Sequence, residues 1–224
     1  MKIYSRFAKI FSILLCSIVF FACGDSSSNI KYVAIGASDA FGIGAVPLTN
    51  GYVYQIDDKL AASTGGVDLI NLGLPGAETD EFIDIELPLA KKANPDLITI
   101  WAGPNDLIDG DSVETFDSRL ETLLSELVQD THAFIAIATL PDLTKLPTFI
   151  SDPDPDVTLA RIAGYNSVII SMAAEFGVSV VDLSKFEVTA SLISDLDGFH
   201  PSNEGHALLA DLFLEVIEPV FTNQ

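Results

Sequence analysis

The sequence has almost no cysteine. Only Cys16 and Cys23 occur among its 224 residues, and both lie close to the N-terminus. The rest of the chain can therefore form neither an internal disulfide nor a cysteine-ligated metal site. A domain without such cross-links depends on its hydrophobic core. Since 49% of the residues are hydrophobic, a chain of this length can bury one.

Basic residues are also scarce. Eleven Lys and Arg side chains stand against 32 Asp and Glu side chains, which gives a formal net charge of −21. Lys2, Arg6 and Lys9 belong to the eleven, so the remainder of the chain is more acidic still. An acidic surface repels phosphate backbones and anionic lipid headgroups. We therefore expect no nucleic-acid partner.

Motifs for phosphates and metals are missing as well. The stretch Gly42-Ile43-Gly44 has no third glycine and is not a dinucleotide fingerprint. The aspartates of residues 151–156 and 195–198 lack the glutamate-terminated spacing of a calcium loop. His206 follows in a predicted helix, out of reach of a two-histidine site with His200. The sequence predicts neither a metal nor a cofactor.

The N-terminal residues are typical of a targeting segment. A basic stretch is followed by an apolar run over residues 10–22, too short for a transmembrane helix and of the right length for a signal peptide. Ala22-Cys23 and a polar stretch come next, which resembles a bacterial lipoprotein signal whose cysteine becomes lipid-modified. We predict a signal peptide over 1–22, a tether over 23–29 lipidated at Cys23, and one domain over 30–224.

This arrangement implies a protein held in the cell envelope by a lipid anchor, at the outer membrane or the periplasmic face of a bacterium with two membranes. The alternative is an ordinary secretory signal, with Cys23 incidental and the protein secreted.

Short apolar runs alternate with stretches of helical periodicity. The runs predict strands over residues 30–35, 67–72, 96–101, 133–138 and 178–181. The periodic stretches predict helices over residues 52–62, 78–93, 113–128, 157–176 and 204–217, with Pro88 breaking or kinking the second. Residues 140–156 contain four prolines and are predicted to be a long loop. The alternation indicates a single α/β domain, a three-layer α/β/α flavodoxin-like parallel sheet of about five strands.

Polar residues suited to catalysis follow several of these strands. Ser38, Gly76 and Asn105 each come shortly after a strand, and parallel strands bring their carboxyl ends to one edge of the sheet. Asp197 and His200 lie together near the last helix. Serine, histidine and aspartate are the nucleophile, base and orienting acid of serine hydrolases. Taken singly, each residue has an alternative explanation as a helix cap or a turn residue.

Four motifs in this order resemble those of the SGNH (GDSL-type) hydrolases, over nearly the whole chain from residue 30 onward. They are Gly36-Ala37-Ser38-x-x-x-Gly42, Asn71-x-Gly73-x-x-Gly76, Gly103-x-Asn105-Asp106 and Asp197-x-x-His200-Pro201. The third residue of the first motif is serine, as in the family. Ala37 stands where the family usually has an aspartate, which is not a member of the triad.

The resemblance implies a role for each residue. Ser38 is the nucleophile, His200 the base and Asp197 its orienting acid. The backbone N–H groups of Ser38 and Gly76 and the side-chain amide of Asn105 form the oxyanion hole. No cofactor is needed for this chemistry.

The implied activity is that of a monomeric esterase, which hydrolyses small-molecule, lipid or glycan acyl esters through an acyl-serine. The alternatives are an acyltransferase or glycan O-acetylesterase with the same triad, and a catalytically inactive binding protein on the same fold. Apolar residues in two predicted loops indicate an apolar acyl site: Phe41, Val46, Leu48, Leu146 and Phe149.

Overall fold

A parallel sheet of five strands lies at the centre of the molecule, in the order β2-β1-β3-β4-β5. The strands are β1 Ile30–Gly36, β2 Val67–Asn71, β3 Leu97–Trp101, β4 Phe134–Ala138 and β5 Ser179–Val181. They come from a computed structural model that describes residues 29–222. Every predicted strand is found within one residue of its expected ends. The predicted signal peptide over 1–22 and Cys23 lie outside the described residues.

The central strands are buried on both faces. All five residues of β3 are buried, as are the last five of β1, which explains their continuous apolar runs. The edge strand β2 instead alternates between half-buried and exposed side chains. Because β1 and β3 pair in parallel with Gly36 opposite Trp101, the segments that follow both strands emerge at the same edge.

Helices cover both faces of the sheet. On one face α2 and α9 pack through Tyr52, Ile56, Leu60, Leu209 and Phe213. On the other, α4, α6 and α8 pack through Leu87, Phe116, Leu120, Tyr165 and Ile169. The helices are α1 Ser38–Phe41, α2 Tyr52–Thr64, α3 Thr79–Glu81, α4 Leu87–Ala93, α5 Pro104–Ile108, α6 Val113–Asp130, α7 Pro147–Ser151, α8 Leu159–Phe176 and α9 Asn203–Phe221. The predicted three-layer α/β fold is confirmed.

None of the described helices combines the length and the apolar character needed to cross a bilayer.

Two local expectations need correction. The segment predicted as a long loop, residues 140–156, contains a 3-10 turn, Leu143–Lys145, and the helix α7. Pro147 is the first residue of α7, where its fixed φ favours a helix start. Pro88 likewise lies in the first turn of α4 and does not break the predicted helix. The irregularity precedes it, as a π-helical turn over Phe82–Glu86.

Candidate active site

Ser38 begins the short helix α1, two residues after β1 ends. Its residue is buried, with 6% of its surface exposed. Helix α1 is a single turn, so the N–H of Ser38 has no intrahelical acceptor. No other described group accepts this N–H. The donor is therefore free to bind an anion at the carboxyl edge of the sheet.

His200 and Asp197 form a direct pair. His200 Nδ1 lies 2.6 Å from Asp197 Oδ2. The other carboxylate oxygen of Asp197 accepts the backbone N–H groups of Phe199 and His200, at 2.9 and 3.0 Å. Partial burial by itself raises the pKa of Asp197, but the hydrogen bonds from His200 and the two N–H groups lower it below its ordinary value. Asp197 is thus ionised at neutral pH and fixes the ring of His200.

The loop that carries His200 is tied to the loop that follows Ser38. Asn203 forms two hydrogen bonds with the backbone of Val46, at 2.8 and 2.9 Å. His206 Nε2 donates to the carbonyl of Ile43 at 2.9 Å, and its Nδ1 accepts the Tyr52 N–H at 3.2 Å. Both ring nitrogens of His206 are therefore engaged, and the residue ties the start of α9 to both ends of the segment between α1 and α2.

Gly44 brings the same two loops into close contact. Its φ is +94°, and a Cβ added there would lie 2.2 Å from the Pro201 carbonyl oxygen and 2.9 Å from His200 Cβ. Only glycine allows this approach. The sequence motifs did not identify the contacts of Gly44, Asn203 and His206, although Asn203 and His206 follow the final motif directly.

The two other oxyanion candidates lie together. Asn105 Nδ2 donates one hydrogen to the carbonyl of Ala77 at 2.8 Å, which leaves the second amide hydrogen available. Gly76, the neighbour of Ala77, has a φ of +84° and open space where a side chain would be. No described group accepts the Gly76 N–H. Asn105 is therefore more than a turn residue, because it joins its own loop to that of Gly76.

Asp197 and His200 are in direct contact, and Asn105 is bonded beside Gly76. Ser38 Oγ forms no hydrogen bond with any described residue. In ligand-free sites the bond between nucleophile and base is often long and tightens only with substrate. The segment after Ser38 provides the link instead: Gly44 lies against His200 and Pro201, and Ile43 binds His206 at the start of α9.

Asp39 is a site residue that the motifs did not indicate. Burial raises its pKa to about 6, the charge of His200 opposes the rise, and the charge of Asp197 adds to it. Asp39 also lines an apolar cavity of about 90 Å³. That cavity is also lined by Trp101, Pro104, Leu146, Phe199 and Leu209.

Of the five apolar residues predicted to form an acyl site, one lines this cavity, and Phe149 is not among its lining residues. Leu146 lines the cavity beside Asp39. Phe41, Val46 and Leu48 do not line it and are exposed at the surface, by 40%, 64% and 46%.

One acidic cluster could in principle hold a metal ion. In the described chain, ligand atoms of Glu78, Asp106 and Asp111 lie within 4.8 Å of one another. Arg119 contacts all three carboxylates, so a guanidinium already compensates part of their negative charge. Asp106 also accepts the N–H and hydroxyl of Thr79, both at 3.0 Å. The cluster therefore joins α3, α5 and α6 beside Asn105.

Glu86 is a buried acid whose side chain contacts the backbone just before Ser38. It is 1% exposed, and its Oε2 accepts the Gly36 N–H at 3.0 Å. Its Oε1 has no hydrogen-bond partner. The helical periodicity of the sequence places Glu86 in the predicted helix over residues 78–93 and indicates no role for its carboxyl group.

Comparisons with known proteins agree with this architecture. The family model described as the GDSL-like lipase/acylhydrolase family matches residues 34–208. The fold is similar to that of the lipase/acylhydrolase from Enterococcus faecalis, with a TM-score of 0.68 and 26% identity over 85% of this chain and 96% of that one.

Two further solved structures share the fold at lower identity. An acetylxylan esterase from Geobacillus stearothermophilus has a TM-score of 0.68 and 24% identity over 85% of this chain and 94% of that one. A psychrotrophic esterase from Pseudoalteromonas sp. has a TM-score of 0.68 and 18% identity over 87% of this chain and all of that one, 100%. No curated protein matches the chain in sequence.

Proposed function

Starting from the fact that the chain belongs to the GDSL-like lipase/acylhydrolase family of ester-hydrolysing enzymes, we propose that it cleaves carboxylic acyl esters through an acyl-serine on Ser38. The observation that supports this most strongly is the His200–Asp197 pair at 2.6 Å. With Nδ1 held by Asp197, His200 presents Nε2 as its free basic nitrogen, since no described group bonds to it. This is the arrangement of a general base in a serine hydrolase.

In the proposed reaction, His200 Nε2 takes the proton of Ser38 Oγ as the oxygen attacks the acyl carbonyl carbon. The tetrahedral oxyanion accepts hydrogen bonds from the N–H groups of Ser38 and Gly76 and from the free amide hydrogen of Asn105. Collapse breaks the ester bond, and the leaving alcohol takes the proton from His200. Water then attacks the acyl-serine with His200 again as base, which releases the acid and restores Ser38. Asp197 stabilises the imidazolium in both steps.

The serine is tested by Ser38→Ala, which we expect to fold like wild type and to lose nearly all esterase activity. A fluorophosphonate probe should label the wild-type protein on the peptide that contains Ser38. Ser118→Ala, an exposed substitution in α6, is the matched control and should retain activity and labelling. Full activity in the Ser38 variant, or labelling at another peptide, contradicts the proposal and points to another nucleophile. Wild-type protein with neither activity nor labelling also contradicts it and leaves a binding protein.

A second candidate is a glycan O-acetylesterase, which uses the same residues. Its support is the likeness in fold to the acetylxylan esterase from Geobacillus stearothermophilus. Activity on p-nitrophenyl esters of increasing acyl length, measured beside acetate release from acetylated xylan, separates the two candidates. Acetyl esters as the only substrates favour the glycan enzyme, and longer acyl chains favour the lipid or small-molecule esterase. Transfer of the acyl group to an added alcohol identifies the acyltransferase alternative.

The cellular position is a further part of the proposal. We expect cleavage before Cys23 and lipidation of its thiol, with residues 24–29 as a polar spacer. Gly24 follows the cysteine, which resembles a signal for onward sorting to the outer membrane in bacteria with two membranes. Cys23→Ser should abolish lipid labelling and membrane fractionation and leave esterase activity intact. Wild-type protein that carries no lipid and fractionates as soluble contradicts the anchor.

A further inference from the structure

The side chain of Glu86 contacts the backbone just before Ser38, from the face of the sheet that α4 and α6 cover. Its Oε2 accepts the Gly36 N–H at 3.0 Å, and Gly36 ends β1 two residues before Ser38. The bond joins residues that are 50 positions apart in the chain. A buried carboxyl group that serves only packing is unfavourable, because an apolar side chain would fill the same space without desolvation.

The π-helical turn Phe82–Glu86 sets the direction of this side chain. Glu86 is its last residue, flanked by the buried side chains of Phe82 and Leu87. A π-helical turn contains more residues than an α-helical one, so the side chains after it change direction, and such turns are frequent at functional sites. The turn contacts β1 directly. It therefore aims one carboxyl group at the end of the strand that carries Ser38.

The backbone of residues 36–38 has little other side-chain support. Ala37 precedes α1 as its N-cap residue and makes no side-chain hydrogen bond, since its side chain is a methyl group. Within the described residues, the carboxyl of Glu86 is the single side-chain group that hydrogen-bonds to the backbone of residues 36–38. This backbone is also tightly packed, because a Cβ on Gly36 would lie 2.9 Å from Ala40 Cβ.

We propose that Glu86 is a positioning residue for the nucleophile, and that it fixes the Gly36–Ser38 turn which Ala37 cannot support. The proposal rests on the proposed role of Ser38. Glu86 acts through the backbone and touches no reacting atom.

The carboxyl group performs this role in its neutral form. Burial raises the pKa of Glu86 to about 8, and the hydrogen bond from Gly36 opposes the rise. A neutral carboxyl still accepts the Gly36 N–H. Once ionised, it places an unpaired negative charge behind the turn on which the oxyanion forms. Two like charges in a desolvated site repel each other strongly, so ionisation disfavours the transition state.

No described cation compensates that charge. The phenol of Tyr52 is affected by it: burial, followed by the charges of Tyr32, Asp39 and Glu86, raises the pKa of Tyr52 well above its ordinary value. Charged side chains on the neighbouring α3, α4, α6 and β1 pair elsewhere or are exposed. Lys31, Lys92 and Asp84 are exposed. Lys91 forms ion pairs with Glu126 and Asp130, and Arg119 forms ion pairs with Glu78, Asp80 and Asp106. The carboxylate of Glu81 accepts the Glu78 N–H.

The test is the pH dependence of kcat for wild type, Glu86→Gln and Glu86→Ala, with Asp84→Asn as the matched control on the same turn. Wild-type kcat should fall at about pH 8, where Glu86 ionises. Glu86→Gln keeps the hydrogen bond and cannot ionise, so it should retain most of kcat at neutral pH and lose the alkaline fall. Glu86→Ala should lower kcat by about 10²-fold with little change in KM, the size of effect expected for a misplaced reacting group.

An alkaline fall that persists unchanged in Glu86→Gln overturns the proposal, as does wild-type kcat in Glu86→Ala. If the alanine variant does not fold, the glutamine variant still decides. Fluorophosphonate labelling of Ser38 distinguishes failure of the Glu86 proposal from failure of the esterase proposal. If the Glu86 test fails and Ser38 is labelled, the esterase proposal stands. If wild-type protein is not labelled, the esterase proposal itself is overturned.

Discussion

Asp197 and Glu86 are two carboxyl groups that bind different parts of the candidate site, and their electrostatic environments are opposite. Asp197 is partly exposed, and both of its oxygens accept hydrogen bonds from N–H groups. Glu86 is buried, accepts one N–H and has an unpartnered oxygen. The pKa of Asp197 is below its ordinary value, and that of Glu86 is raised to about 8. At neutral pH one is an anion and the other a neutral acid.

The difference shows that the number of donors and the access of water determine the charge of each acid. Three N–H donors outweigh the partial burial of Asp197, whereas one donor does not outweigh the full burial of Glu86. Each charge state suits its place. In the proposed mechanism, an anion beside His200 stabilises the imidazolium, and a neutral Glu86 does not repel the oxyanion.

The largest expected effect comes from removing the charge on the anionic side. Asp197→Asn should lower kcat by about 10⁴-fold, because an amide favours the wrong tautomer of His200 and cannot stabilise the imidazolium. Steady-state kinetics measure this, with the exposed Asp195→Asn as control. A variant within tenfold of wild type would show that His200 does not need the anion.

A smaller effect is expected from a donor of the proposed oxyanion hole. Asn105→Ala should lower kcat by roughly 10²–10³-fold with little change in KM, because the amide bonds a charge present mainly in the transition state. A raised KM at unchanged kcat would instead make Asn105 a ground-state contact, and the oxyanion would lie elsewhere. Thermal unfolding of the variant shows whether the loss of its bond to Ala77 also weakens the fold.

The smallest effect is on the free energy of unfolding. As pH rises, the contribution of Glu86 to this free energy should fall and that of Asp197 should rise. Folded Glu86 keeps its proton up to about pH 8, while the unfolded residue loses it near 4.5. Wild type should therefore lose stability relative to Glu86→Gln as pH rises between these values. Asp197 has a lowered folded pKa, so its contribution is present at neutral pH and disappears as pH falls through that pKa.

Thermal unfolding from about pH 3 to 9 measures both differences. With rising pH, the Tm of Glu86→Gln should increase relative to the Tm of wild type. With falling pH, the Tm of Asp197→Asn should increase relative to the Tm of wild type. Parallel curves for either pair would contradict the assigned charge state.

Most of the fold could be predicted because its determinants are local. The apolar runs that became β1 and β3 are continuous, and the motifs around Ser38, Asn105 and His200 are short and each follows a regular element. The proposed catalytic residues remain a prediction from these motifs. Residues 140–156 were assigned wrongly, because prolines that open helices and prolines in loops look alike in sequence.

The residues that support the site could not be found in this way. Glu86 interrupts an apolar helical face, and periodicity offers no reason for a carboxyl group in a core. Its partner, the Gly36 N–H, is identified only once the π-helical turn has packed against β1. Asn203 and His206 follow a recognised motif, but their partners Val46 and Ile43 are backbone groups in a loop that carries no matching signal.

The clamp between the His200 loop and the loop after Ser38 also links activity to the order in which the chain folds. Its hydrogen bonds connect residues 157 and 163 positions apart, one partner near the start of the domain and the other in its last helix. Contacts of such long range carry a high loop-closure cost and form late. A chain that ends before α9 contains all five strands but lacks the residues that form this clamp. Ester hydrolysis during refolding therefore reports completion of the whole domain.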